Sequence, residues 1–230
     1  MGARASAVTR VNNSFIEKQL EREGGQLGYL NSRSELLGRV EQIYNEQVNE
    51  GLNHSVGAFF NSFRELSNSP ESLAARAQVK ATADNLTKDF HEVDQQLMDV
   101  QKDADYRIAT KVEEINQLTR EIAKLNEKVQ FIELGGGHSN DERDRRDLLV
   151  KQLSEKVNVR YSESRDGVLT ITAGRTAVLV SGNSQRDLEA VSSPAKDGKP
   201  EGSFDIVYRP TEQSAPVQVT RQLTGGEIGG

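Results

Sequence analysis

The chain has 230 residues, with 29 Lys and Arg against 35 Asp and Glu, a net charge of −6, no Cys, no Trp and only 5% aromatics. That balance excludes disulfides, thiol chemistry and Cys-based metal sites. It also argues against a nucleic-acid surface, which needs clustered positive charge and stacking rings. No apolar run approaches the roughly 20 residues needed to cross a membrane and no signal-peptide pattern opens the chain, so membrane insertion is not expected.

The first six residues, Met1-Gly2-Ala3-Arg4-Ala5-Ser6, fit the pattern for N-myristoylation on Gly2, but so short a match carries little and lipidation is set aside. From about Ser6 to Val48 the apolar positions Val8, Val11, Phe15, Leu20, Leu27, Leu30, Leu37, Tyr44 and Val48 mostly keep a period near seven. This spacing predicts a long helix with weak points at Gly24, Gly25 and Gly28, because each glycine costs about 1 kcal/mol against alanine in a helix. Gly51 closes the segment. Asn53 or Ser55 is then placed to cap a short helix carrying Val56, Phe59, Phe60, Phe63 and Leu66, whose phenylalanines are expected to plug the core where helices meet.

Ser69-Pro70-Glu71 reads as a helix start, with a capping hydroxyl, a proline at the first helical position and an acid in the first turn. A long strut follows, to about Leu134. One apolar stripe runs through Leu86, Phe90, Val93, Leu97, Val100 and Ala104, and a second through Ile115, Leu118, Ile122, Leu125, Val129 and Ile132. Between them Ala104, Ile108 and Val112 are spaced by fours, so the stripe drifts around the helix. A dedicated two-chain coiled coil keeps its heptads, so the drift favours packing within one chain. Leu97→Asp is then expected to collapse the bundle by burying a charge.

Gly135-Gly136-Gly137 breaks the strut as an elbow ending in an Asn or Asp cap. The charged and apolar helix from Asp141 to Leu153 should return antiparallel along it. After Lys156 the apolar residues alternate, at Val157 to Tyr161 and Val168 to Thr172, with Asp166-Gly167 between them as a hairpin turn. Further strands are expected at Ala177 to Val180, Asp187 to Val191, Phe204 to Tyr208 and Val217 to Leu223. The reading is therefore α+β: an elongated helical bundle of long coiled-coil-like helices over residues 1–156, a small antiparallel β domain over 157–224, and a Gly-rich linker over 225–230, cut at the chain end.

Chemistry finds little purchase. His54, His91 and His138 are isolated, without the helical spacing that places two ligands on one face, so no metal site is expected. No Ser sits in a nucleophile elbow, and the Gly135 run lacks the Lys and Ser or Thr of a phosphate loop. Asp144 or Asp147 would be the carboxylate of a hydrolase, a reading ranked below the others. No catalytic residue, cofactor-binding residue or cofactor is assigned.

The order of elements, together with particular residues, resembles the family of flagellar hook-associated proteins that form the first junction between hook and filament. The residues are Val11 to Leu20, Gly28-Tyr29-Leu30, Ala58 to Pro70, Ala74-Ala75-Arg76, Val112 to Leu125, Asp144 to Val159 and the closing Gly225-Gly226-Glu227-Ile228-Gly229-Gly230. The resemblance implies a structural, non-enzymatic protein of the bacterial flagellum that assembles as a homo-oligomeric layer. It implies as partners other copies of itself, the hook protein, the next hook-associated junction protein and a flagellar export chaperone. It also implies an extracellular location, reached through the flagellar secretion apparatus without a cleavable signal peptide. Members of that family begin and end with further helices, so the chain is expected to be a central fragment lacking both. The alternative is a coiled-coil scaffold or signalling interaction module.

Overall fold

Residues 13–44, 51–164, 166–192 and 203–230 are described by a computed structural model; Gly2, with its acylation motif, lies outside them. Helix α1, Ser14–Ile43, starts where Asn13 Oδ1 accepts the amides of Phe15 and Ile16 at 3.2 and 3.4 Å. The described helix thus begins at a side-chain cap, the expected start near Ser6 lying outside the described residues, and it passes through Gly24, Gly25 and Gly28 without a break. Helix α2, Leu52–Asn68, follows Gly51, which makes no side-chain cap bond, so neither Asn53 nor Ser55 caps it.

Helix α3, Leu73–Leu134, is continuous over 62 residues. Its start is displaced from the Ser69-Pro70-Glu71 expectation: Ser69 closes α2 through bonds from its amide to Glu65 and Leu66, and Pro70 lies in the turn. The Ser72 hydroxyl accepts the Ala75 amide at 3.2 Å, and Arg76 donates back to the Pro70 carbonyl. Beyond Leu134, Gly136 and Gly137 amides return to the Glu133 and Ile132 carbonyls, and helix α4, Asn140–Lys156, begins after Ser139. The Ser139 hydroxyl caps no amide; it donates to Glu133 Oε1 at 2.6 Å instead. The expected Asn or Asp cap is therefore absent. Contacts of Arg143 with Glu133, Arg146 with Asn126 and Lys156 with Glu114 run α4 antiparallel to α3, as the short elbow requires.

Two antiparallel sheets follow. Strands β1 (Val159–Glu163), β2 (Leu169–Ala173), β3 (Ala177–Ser181) and β4 (Ser184–Gln185) form one sheet in that order. Strands β5 (Leu188–Ser192), β6 (Phe204–Tyr208) and β7 (Val217–Gln218) form the other. The β1–β2 hairpin pairs Glu163 with Leu169 around the Asp166-Gly167 turn, with Gly167 at φ +72°. The stretch from Val217 gives only a two-residue strand before a 3₁₀ turn at Thr220–Gln222. Leu169, Ile171 and Ala173 alternate inward along β2, and the Tyr208 hydroxyl donates to the Val178 carbonyl at 3.0 Å, joining the two sheets.

The chain divides into two compact units. In the first, formed by the described residues up to Arg33 and by Asp105–Gly230, Ile115, Ile122 and Val129 of α3 join Leu153 of α4, Ile171, Leu179, Leu188 and Ile206 in one core. Each such fully buried aliphatic side chain contributes about 1.5–3 kcal/mol. In the second unit, Ser34–Ala104, the buried described residues are Ser62, Ala75 and Thr82, none of them large. Small side chains let α2 and α3 approach there, with Ser62 Oγ 2.9 Å from Thr82 Oγ1 and Ser55 bonded to Asp89. The phenylalanine plug does not form: Phe59 packs edge-on against Phe60 and Phe63, which are 61% and 47% exposed. Leu97 is only half-buried, so the core that a charge would disrupt lies on the second stripe and not on the first. The boundary at Ala104 and Asp105 coincides with the drift in apolar spacing.

Candidate functional site

Three polar residues of α3 occupy core positions. Asn116, Thr119 and Asn126 continue the spacing of the buried Val112, Ile115, Ile122 and Val129, and all three are buried. Asn116 Nδ2 donates to the Leu188 carbonyl and its Oδ1 accepts the Leu188 amide, both at 2.9 Å. Asn126 donates to the Leu169 and Gly182 carbonyls at 2.8 Å and accepts the Leu169 amide at 3.2 Å. One helix thereby satisfies backbone groups of both sheets, groups that would otherwise be buried without partners.

Around Asn126 a charged network closes the hairpin against the helices. Arg146, 1% exposed, donates to Asn126 Oδ1 at 3.0 Å, the Gly167 carbonyl at 2.7 Å and Glu163 Oε1 at 2.6 Å. Its Nε has no partner. Arg143 holds Glu133 with two bonds, at 2.8 and 3.0 Å, and reaches Glu163 at 2.7 Å. Hydrogen bonding from Arg143 keeps the Glu133 carboxyl below its ordinary range.

A second chain of alternating charge runs Lys156, Glu114, Lys111, Glu227, with Lys111 Nζ 2.7 Å from Glu227 and 3.2 Å from Glu114. Lys156 hydrogen-bonds Glu114 and holds its carboxyl low. Burial works against the Lys111 ammonium, but Glu227 and Glu114 more than offset it and raise its pKa. Residues 225–230, read from the sequence as a linker, are tied in here: the Glu227 and Ile228 amides donate to the Glu155 and Lys156 carbonyls at 2.9 and 3.0 Å.

A cleft of about 380 Å³ lies among α1, the end of α4 and the start of β1, lined by Lys18, Glu21, Arg22, Ser154, Asn158 and Tyr161. The Tyr161 hydroxyl donates to Glu21 Oε1 at 3.0 Å, with Lys18 Nζ 5.8 Å from the ring centre. Burial raises the pKa of Glu21, Tyr161 lowers it in part, and Asp147 and Glu17 add to the rise. Burial, and then Glu21, push the Tyr161 phenol up. The cleft can hold a small polar group, but its cations and acids are mixed.

The residues singled out for chemistry stay apart. His54 lies on α2, His91 on α3 and His138 in the elbow, all exposed; among the described residues no group of three or more His, Asp or Glu is disposed to hold a metal ion. Asp144 is exposed and Asp147 half-buried on α4, and neither lines the cleft. Sequence reasoning missed Asn116, Asn126, Arg146 and the Glu21 and Tyr161 pair. The asparagines did leave a signal, as polar residues in register with an apolar stripe.

The most continuous exposed feature is on α1. Within the first unit Ile16, Leu20, Leu27 and Leu30 follow one another at helical spacing and are each 46–59% exposed, and no described side chain of this helix is buried.

Together these define an α+β protein in which a long helix clamps two small sheets through side-chain amides. The profile of the Flagellar hook-associated protein FlgK helical domain matches residues 37–230. The chain belongs to that flagellar hook-associated protein family. It is similar to flagellar hook-associated protein 1 of Salmonella typhimurium (32% identical over 196 residues, 84% of this chain and 35% of the relative). It is also similar to that of Bacillus subtilis (27% over 179 residues, 78% of this chain and 35% of the relative). The chain thus spans about a third of the length of these relatives. The solved flagellar hook junction protein FlgK from Burkholderia pseudomallei shares the fold, with a TM-score of 0.75 and 24% identity over 94% of this chain and 38% of that one.

Proposed function

We propose that this chain is a structural, non-enzymatic component of the bacterial flagellum that joins hook to filament by homo-oligomeric assembly. Its partners are copies of itself, the hook protein and the next hook-associated junction protein, with an export chaperone before secretion through the flagellar apparatus to the cell exterior. Within it, the helical portion over 1–156 is the load-carrying part and the β portion over 157–224 the attached body.

The observation that carries the reading is the uncovered apolar stripe of α1 in a member of a hook-associated family. Four large aliphatic side chains at helical spacing, left about half exposed, mark a face that packs against another helix on assembly. Long helices packed side by side resist bending, which a joint under torque requires.

The test is a triple substitution, Leu20, Leu27 and Leu30 each to Asp, in the full-length protein in a motile host. Expected are an unchanged circular dichroism spectrum and loss of the protein, and of filaments, from isolated hooks. Normal filaments would overturn the reading. Light scattering on the 230-residue chain separates the coiled-coil scaffold: the junction reading expects a monomer at modest concentration, the scaffold a stable dimer.

A further inference from the structure

Within the first unit, α1 is held by little side-chain burial, and backbone does the work instead. A β-carbon on Gly25 would stand 2.9 Å from the Ser154 carbonyl oxygen, and one on Gly28 would collide with the Glu155 carbonyl and stand 3.3 Å from the Glu227 amide. The last residues mirror this arrangement. Gly226, at φ +71°, lies against the Lys156 and Val157 backbone, and Gly230 against the Tyr29 carbonyl. Three backbones, those of α1, the end of α4 and residues 224–230, therefore meet at one joint that admits no β-carbon.

We propose that residues 224–230 are a clasp: they fasten the first part of α1 to the core of α4 and the sheets, and opening the clasp frees that part of the helix while the core stays folded. The clasp carries no regular secondary structure. It is closed by the Glu227 and Ile228 amides on the Glu155 and Lys156 carbonyls, by the Lys111 to Glu227 ion pair, and by Ile228 packed against the core. Few contacts of this kind make a segment that opens below the global unfolding threshold. The inference does not depend on the flagellar reading, because it concerns how the chain holds its own first helix.

Hydrogen exchange by mass spectrometry on the 230-residue chain tests it, comparing peptides from 14–33, 224–230 and, as an internal reference, 169–181. In Gly28→Ala, local propensity and the clasp predict opposite results: alanine is the better helix former, yet its methyl group wedges the joint open. Exchange is expected to rise about tenfold in both 14–33 and 224–230, with 169–181 unchanged. A second variant, Glu227→Gln, keeps every backbone contact and loses the ion pair; both segments are expected to exchange roughly threefold faster. Slower or unchanged exchange in 14–33 in either variant overturns the clasp, as does a rise in 169–181 equal to that in 14–33.

Discussion

Asn116 and Leu188 exchange two hydrogen bonds of 2.9 Å, side-chain amide to backbone amide, in the pattern by which two strands pair. Helix α3 thus acts as a strand's neighbour at this residue, as it does where Asn126 exchanges the same two bonds with Leu169. Asn116→Ala leaves the Leu188 amide and carbonyl buried without partners and should cost about 2–4 kcal/mol. Urea unfolding measures it; a loss below about 0.5 kcal/mol would mean that water replaces the amide fully.

Arg146 serves two buried acceptors besides Glu163, whose side chain is 36% exposed. Arg146→Met should therefore destabilise by about 3 kcal/mol, and Glu163→Gln by about 1, since Glu163 is partly solvated and its charge is screened. The opposite order in denaturant midpoints would show that the ion pair, not the neutral acceptors, is the reason for burying the guanidinium.

The acidic groups pull in opposite directions with pH. Glu114 and Glu133 lie below the ordinary carboxylate value of 4.5, so the stability they give is present above that value and is lost as pH falls through their folded values. Glu21 lies above it, so its contribution is fully present below 4.5 and is lost as pH rises through its folded value. Glu21→Gln should accordingly raise the melting temperature at pH 7 by a degree or two, about the size of a few tenths of a kcal/mol, and leave it unchanged at pH 4. A Gln variant less stable at both pH values would show that the bond from Tyr161 outweighs burial.

Ile122 is fully buried and Leu97 is not. Ile122→Asp should abolish cooperative melting, a charge without a partner in that core costing more than about 4 kcal/mol. Leu97→Asp should cost about 1 kcal/mol or less at a half-solvated position. Equal effects would place the two stripes in one continuous core.

Much of the architecture was legible because it rests on local periodicity. The stripes from Leu86 and from Ile115, the alternation along Leu169 to Ala173 and the Asp166-Gly167 turn each follow from a repeat of 3.6 or 2 residues and a turn that needs positive φ. The cap of α3 shifted by a few residues, to Ser72, because neighbouring hydroxyls offer the same chemistry and the wider packing chooses among them, while packing turned the Ser139 hydroxyl away from the amides of α4 and onto Glu133.

By itself the sequence determined the order of helices and strands, the apolar stripes along them, and the family likeness. Tertiary structure decided which stripe becomes the core, why Asn116 and Asn126 interrupt it, and what the glycines are for. Gly24, Gly25 and Gly28 read locally as breaks in a helix, and residues 225–230 as slack chain. Brought together, Gly28 and Gly226 are two sides of one close backbone contact with the end of α4. Propensity is a property of neighbours along the chain; room for a missing β-carbon is created only by residues distant in sequence, and no local pattern records it.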